Sequence, residues 1–229
     1  MKDIGSLFDH IASHYDTFNH STSLGIDKRW RRQAVRGILS THAEALDVAI
    51  GTGDLAIELV RKGKARHVEG IDLSTEMMRI GQKKAADKGM QDAITFTKGS
   101  ALEMPYADAS FDLLTCAYGV RNFSNLEQGL KEMYRVLKPG GELMILEFSH
   151  PQNPIVSALY TFYFKFVMSA FGAILTGGDI GSFTYFYHSV KRFVWGDAML
   201  RKLEEAGFAS ATFQTQTFGI STIYRAVKR

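Results

Sequence analysis

No stretch constrains the fold of this chain more than Leu46-Asp47-Val48-Ala49-Ile50-Gly51-Thr52-Gly53-Asp54-Leu55-Ala56. It reads as a short buried strand, a glycine turn and the first turn of a helix. Gly51 and Gly53 carry no Cβ, tolerate positive φ and let a ligand approach the backbone closely. The helix that follows points unpaired N–H groups, and the positive end of its dipole, at whatever lies over the turn. Asp72 stands 21 residues beyond Gly51, at the end of the next apolar run, Val68 to Ile71. A carboxylate there can accept hydrogen bonds from ribose hydroxyls. Together these features predict a site for a nucleoside-containing ligand.

Two cofactors suit such a site. Gly-Thr-Gly-Asp-Leu-Ala fits the dinucleotide pattern G-x-G-x-x-G/A, which admits NAD, although a single match is weak evidence. S-adenosylmethionine is the other. It has no pyrophosphate, and an ammonium and a carboxylate accompany its sulfonium. Asp47 and Asp54 flank the turn and favour the cationic ligand, unless Asp54 is only a helix-start acid placed to suit the dipole. The choice falls to the rest of the chain.

From residue 45 strands and helices alternate. Strands are expected at 45–50, 67–71, 94–97, 111–117 and 142–148, with helices near 54–63, 75–88 and 125–137 between them. Such alternation implies right-handed crossovers and a parallel sheet covered on both faces. Lys138-Pro139-Gly140-Gly141 should end the last of these helices and turn the chain into the fifth strand. A helix then runs from Gly196-Asp197 to Ala206. Ala211 to Gln216 and Ser221 to Ala226 form two strands joined around Phe218-Gly219. A hairpin closing five βα units favours a class I methyltransferase over a dehydrogenase half-domain.

Before the sheet, residues 4–40 read as helical, with Ile4, Leu7, Phe8 and Ile11 on one face and a break marked by Tyr15-Asp16 and Asn19. A second helix, Asp27 to Leu39, carries Lys28, Arg29, Arg31, Arg32 and Arg36. Its plain reading is a solvated basic face with Trp30 packed inward. The sharper one is a surface that meets anionic lipid, at roughly 1 kcal/mol per basic residue. His10 and His14 have metal-ligand spacing on a helix, but no third ligand accompanies them and no metal centre is expected.

Ile155 to Leu175 is strongly apolar and, at 21 residues, long enough to span a bilayer. Lys165 at its centre argues against spanning, since insertion of a central lysine is unfavourable by about 3 kcal/mol. Core packing accounts for part of the stretch. The wealth of aromatic residues favours a lid over the site with an apolar groove, one that could rest on a membrane interface.

The whole chain has 229 residues, 45% of them apolar, which suits one α/β domain with an extra layer. A net charge of +3 is too mild to argue for nucleic acid. A single cysteine, Cys116, excludes an intramolecular disulfide and reads as a core residue of the fourth strand. Charged and polar residues at every turn of the N-terminus argue against a signal peptide, and the chain reads as cytoplasmic.

At this point a resemblance can be stated. LFDHIASHYDTFN followed by SLGIDKRWRR, then LDVAIGTGDLA, GIDLSTEMM, LEMPYADASFD, YGVRNF, MYRVLKPGGELMILEFSHP and FGISTIYRAVK resemble the ubiquinone/menaquinone biosynthesis C-methyltransferases. The motifs run in order through nearly the whole chain. The resemblance implies a Rossmann-like seven-stranded sheet, parallel with a C-terminal antiparallel hairpin. It would carry a helical cap (1–42), a cofactor-binding core (43–150), a substrate lid (151–196) and a terminal helix and hairpin (197–229). The implied reaction is methyl transfer from S-adenosylmethionine to a ring carbon of a prenylated quinol, foremost demethylmenaquinol to menaquinol. The benzoquinol of the ubiquinone route, both rings, or another lipophilic small molecule are the alternatives.

Cofactor contacts are implied at Thr52, Asp72, Ser100 and Ala101, beside the glycines Gly51 and Gly53. Carbon methylation needs an electron-rich ring, so the quinol must lose a hydroxyl proton and its oxyanion must be stabilised. Arg121 is the first candidate for that task and Asn122 its companion, because Tyr118-Gly119-Val120-Arg121-Asn122 follows the fourth strand at the edge where ligands bind. A structural salt bridge is the competing reading of Arg121. Tyr15, Asp16 and His150 are candidates for the general base. Contact with a membrane surface and a homodimer are left open by the sequence.

Overall fold

The computed structural model describes residues 4–23, 25–39, 41–163 and 181–229. Two helices, α1 (Ile4–Thr22) and α2 (Ile26–Arg36), precede the sheet. Then β1 (His42–Val48), α3 (Asp54–Arg61), β2 (Ala65–Asp72), α4 (Thr75–Asp87) and β3 (Ile94–Lys98) alternate. The chain continues through β4 (Phe111–Ala117), α5 (Leu126–Val136) and β5 (Leu137–Phe148). Beyond it come α6 (Pro154–Phe162), α7 (Gly181–Arg192), α8 (Asp197–Glu205) and the hairpin β6 (Ala209–Gln216) and β7 (Ser221–Val227).

The seven strands lie in the order β3-β2-β1-β4-β5-β7-β6. β1 to β5 pair in parallel, while β7 runs antiparallel between β5 and β6. The chain winds outward from β1 through β3, then returns to the other side of β1 as β4. A crevice opens at such a reversal, outside the carboxyl ends of the strands. That crevice positions everything functional below.

Period-two burial builds the two faces. Ala45, Leu113 and Met144 point to one side, with α2 and α3 packed on them through Trp30, Val35 and Leu59. Leu46, Leu114 and Ile145 point to the other, where α5 and α8 bring Leu130, Met133, Met199 and Leu203. Cys116 is a free, buried thiol on that second face.

Local expectations differ from the structure at two places. α1 is continuous through Tyr15 and Asp16, and the break falls instead at Gly25, whose φ of 74° suits a glycine. Asp16 does not cap a helix because its carboxylate accepts from Thr52 and Lys84 on the neighbouring elements. β5 already begins at Leu137, and Lys138 to Gly141 forms a bulge within it, where the pairing to β4 jumps from Phe111–Leu137 to Leu113–Glu142. Gly140, at φ 77°, donates its N–H to Lys228 O, which stitches the bulge to the C-terminus.

α6 is capped by Asn153, whose side chain accepts from the N–H groups of Ile155 and Val156. None of its residues is buried; Ile155, Leu159 and Phe162 are 72%, 65% and 59% exposed. Residues 164–180, including Lys165 and the rest of the apolar run expected to form a lid, lie outside the described residues, as does the His14 side chain. No described helix is long and apolar enough to cross a membrane.

Candidate active site

The glycine turn leaves β1 with three consecutive left-handed positions at alternate residues. Ala49, Gly51 and Gly53 have φ of 56°, 55° and 77°. At Gly51 a Cβ would meet nothing within 4 Å, so that backbone is bare toward the crevice. Ala49 adopts the same geometry with a Cβ, at roughly 1 kcal/mol of strain.

Asp72, at the end of β2, is locked to this turn. Its Oδ2 accepts from Gly51 N at 2.8 Å and its Oδ1 from Ser74 N at 2.8 Å. Burial pushes its carboxyl above the usual range, although these N–H groups favour the ionised form. Each oxygen keeps lone pairs open to a pair of vicinal hydroxyls. Asp72, Gly51, Ser100, Ala101 and Asn122 all line one cavity of about 280 Å³. α1 covers it with Ile4, Phe8 and Tyr15. Thr52 and Gly53 do not line this cavity; the Thr52 hydroxyl donates to Asp16 Oδ1 of α1 at 2.7 Å. The Asp72 carboxylate and the bare Gly51 backbone fit the ribose of an adenosyl group.

A second cavity, of about 330 Å³, lies beside the first. Its walls are mainly apolar and aromatic, with Trp30 and Ile26 from α2, Phe148 from β5, and Leu159 and Tyr163 from α6 and its end. Tyr15 and Tyr118 line both cavities, so the two spaces meet at these rings.

Tyr118 follows β4 in a left-handed conformation, φ 59°, which turns its carbonyl toward the residues that follow. Arg121 Nη1 and Asn122 Nδ2 both donate to that oxygen. Arg121 Nη1 also donates to Glu147 Oε1 at 2.9 Å, and its Nε donates to Ser189 Oγ at 3.3 Å. The guanidinium sits over Phe148 and Phe186, with Cζ 5.4 and 5.0 Å from the ring centroids. No described residue meets its Nη2, and Arg121 lines the apolar cavity. Asn122 Oδ1 accepts from the Tyr185 hydroxyl at 3.0 Å. Thus the arginine is in a salt bridge and at the cavity wall at once.

The acids beside the turn, Asp47 and Asp54, line neither cavity. Asp47 is buried in β1 and accepts from the Thr115 hydroxyl at 2.7 Å. Asp54 is held by Lys84, with Arg31 at 3.8 Å and His20 at 3.6 Å. Their charge was therefore no guide to the cofactor, because packing against β4 and α2 uses it internally. Among the base candidates, His150 is hydrogen-bonded through Nε2 to Val190 O at 3.1 Å and lines neither cavity. Asp16 accepts from Thr52 and Lys84, and Tyr15 borders both cavities.

Sequence reasoning missed the network that fixes α1 and α2 over the site. Asp9 Oδ1 accepts from the Ser74 hydroxyl at 2.6 Å and from Glu76 N at 3.0 Å. Lys84 reaches Asp16 at 2.9 Å, and Asp27 joins His20, Ser23 and Arg31. Asp16, His20 and Asp54 also bring potential ligand atoms within 4.8 Å of one another, with the Lys84 ammonium contacting both aspartates. Glu147 was missed too, although an acid inside the apolar run Leu143 to Phe148 is a visible signal.

Comparison with known proteins bears on this geometry. The ubiE/COQ5 methyltransferase family matches residues 1–228. A demethylmenaquinone methyltransferase of Bacteroides fragilis is 38% identical over 228 residues, covering 99% of this chain and 93% of that protein. A ubiquinone/menaquinone biosynthesis C-methyltransferase of Geotalea daltonii is 40% identical, covering 99% and 97%. Among solved structures, a SAM-dependent methyltransferase of Thermotoga maritima superposes with a TM-score of 0.72 at 20% identity, covering 99% of this chain and all of that one. At that identity the likeness is one of fold.

Proposed function

The chain belongs to the ubiE/COQ5 methyltransferase family, and from that membership we propose that it methylates a ring carbon of a prenylated quinol, foremost demethylmenaquinol, to give menaquinol. One observation carries this reading: a cavity fitted to an adenosyl group and an apolar cavity bordered by a guanidinium share the walls Tyr15 and Tyr118. Relatives named for the menaquinone and ubiquinone routes support the substrate class.

Family and fold are those of enzymes that use S-adenosylmethionine, which would supply an electrophilic methyl group on its sulfonium. Asp72 would hold the ribose, the Gly51 backbone would leave room for the amino-acid tail, and Ser100 with Ala101 would flank the adenine. The reduced ring is the substrate, because a quinone carbon is not nucleophilic. Arg121 would stabilise the developing phenolate through its open Nη2 edge, and Asn122 would help fix the ring. Holding carbon, methyl and sulfur in line supplies several kcal/mol of the barrier, on the order of the effect of other positioned reactants. The exposed apolar side chains of α6, Ile155, Leu159 and Phe162, support contact of this helix with a membrane surface.

The test is methyl transfer from labelled S-adenosylmethionine to two chemically reduced acceptors, a demethylated prenyl naphthoquinol and the matching benzoquinol. Label in the naphthoquinol alone supports a menaquinone enzyme; label in both, a shared one. Label in neither, with cofactor binding seen by calorimetry, overturns the substrate.

A further inference from the structure

Two guanidinium groups border the apolar cavity, and only Arg121 has been given a task. The other is Arg31 of α2, 8% exposed and in the wall of the same cavity. Its Nη1 donates to Asp27 Oδ2 at 2.5 Å and lies 3.8 Å from Asp54. No described residue meets its Nε or Nη2. Its Cζ lies 5.4 Å from the Tyr118 ring centroid. Tyr118 in turn packs against Phe148 at 4.5 Å, and Arg121 sits 5.4 Å from the far member of that pair. An aromatic pair thus has a guanidinium at either end.

A strut between α2 and α3 does not explain this arrangement. A point charge against Asp27 would need no planar fork, and α2 is anchored separately by Trp30 Nε1 donating to Thr217 Oγ1 at 2.8 Å. Arg31 lines the cavity with donors that no described residue takes up, so its planar fork is available to an acceptor inside that space. A quinol has two oxygens, on opposite sides of its ring.

We propose that Arg31 is a second substrate-binding residue, donating through its open edge to the ring oxygen that lies across from the one Arg121 holds. The cavity then selects rings oxygenated on both sides, and the acceptor carbon is aimed by two fixed points. This rests on the quinol reading given above.

The experiment compares wild type with Arg31→Lys, which keeps the charge opposite Asp27 but loses the fork. Two reduced acceptors are used: the prenyl naphthoquinol, and the same ring with hydrogen in place of the hydroxyl distant from the acceptor carbon. Arg31→Lys should melt and bind S-adenosylmethionine as wild type does. Its kcat/KM for the diol should fall about tenfold, while its kcat/KM for the mono-hydroxy ring equals that of wild type. Equal losses on both rings, or no loss on the diol, overturn the proposal. Wild type alone supplies a check that needs no variant: it should bind the diol about tenfold more tightly than the mono-hydroxy ring, and equal binding also overturns the proposal. If wild type methylates neither ring, the quinol reading itself fails, an outcome separate from a failure of Arg31.

Discussion

Glu147 Oε1 accepts a hydrogen bond from Arg121 Nη1 at 2.9 Å, and the two side chains are 0% and 3% exposed. Glu147 also accepts from the N–H groups of Arg121 and Phe148. Burial pushes its carboxyl up, while Arg121 and these N–H groups act against that push. The pair decides how Arg121 can be tested. Arg121→Ala would strand a buried carboxylate, so a loss of rate would be mixed with a loss of fold.

Glu147→Gln is the cleaner variant, since its amide oxygen can still accept from Arg121. We expect destabilisation of about 3 kcal/mol, as for other buried pairs broken on one side. The folded fraction should retain its affinity for S-adenosylmethionine and lose kcat by at least tenfold, because a neutral amide with one acceptor oxygen in place of two holds the guanidinium less firmly against β5. Melting curves, calorimetry and initial rates measure the three quantities. Unchanged kcat would show that Arg121 needs no such support.

Asp72→Asn separates cofactor binding from chemistry. Both Asp72 oxygens accept backbone N–H groups, from Gly51 and Ser74, and an amide can accept only one of them. The other would face an NH2 group, which disturbs the turn as well as the ribose contact. Affinity for S-adenosylmethionine should fall tenfold or more by calorimetry, with kcat at saturating cofactor little changed. Unaltered affinity would remove Asp72 from the ribose.

Much of this site was legible because its determinants are local. The left-handed Gly51 and Gly53, and an acid at the end of the next strand, need only strand and turn geometry to be read. Tyr118 to Asn122 became legible through its position after β4. What could not be read depends on partners far along the chain. Asp9 meets Ser74 across 65 residues and Lys84 meets Asp16 across 68, so neither contact leaves a periodic trace. The same cause explains the misplaced break in α1, where Asp16 looked like a local stop signal. Asp47 is the instructive failure. Its place beside the glycine turn suggested a ligand, whereas the pleat sends it into the sheet against Thr115.

That burial has a consequence for pH. Desolvation, with the Asp72 charge in support, pushes the Asp47 carboxyl up to about 7 against the Thr115 hydroxyl. In the unfolded chain an aspartate titrates near 3.9, roughly the reference value. Between those two values the folded protein binds a proton that the unfolded chain has released. Stability from this group is therefore full below the unfolded value and falls as pH rises, by about 1.4 kcal/mol per unit inside the window. Above about 7 the loss is complete and constant. Asp47→Asn abolishes the titration and leaves an amide that can still pair with Thr115. Carboxyls held below their usual range, such as Asp27 and Asp54, give acid-side losses of the opposite sign, but these are common to both proteins and cancel. The Tm advantage of Asp47→Asn over wild type should therefore widen between pH 5 and 7 and stay level from 7 to 8. A difference independent of pH would place Asp47 at an ordinary carboxylate pKa, and its burial in β1 would then carry no electrostatic penalty.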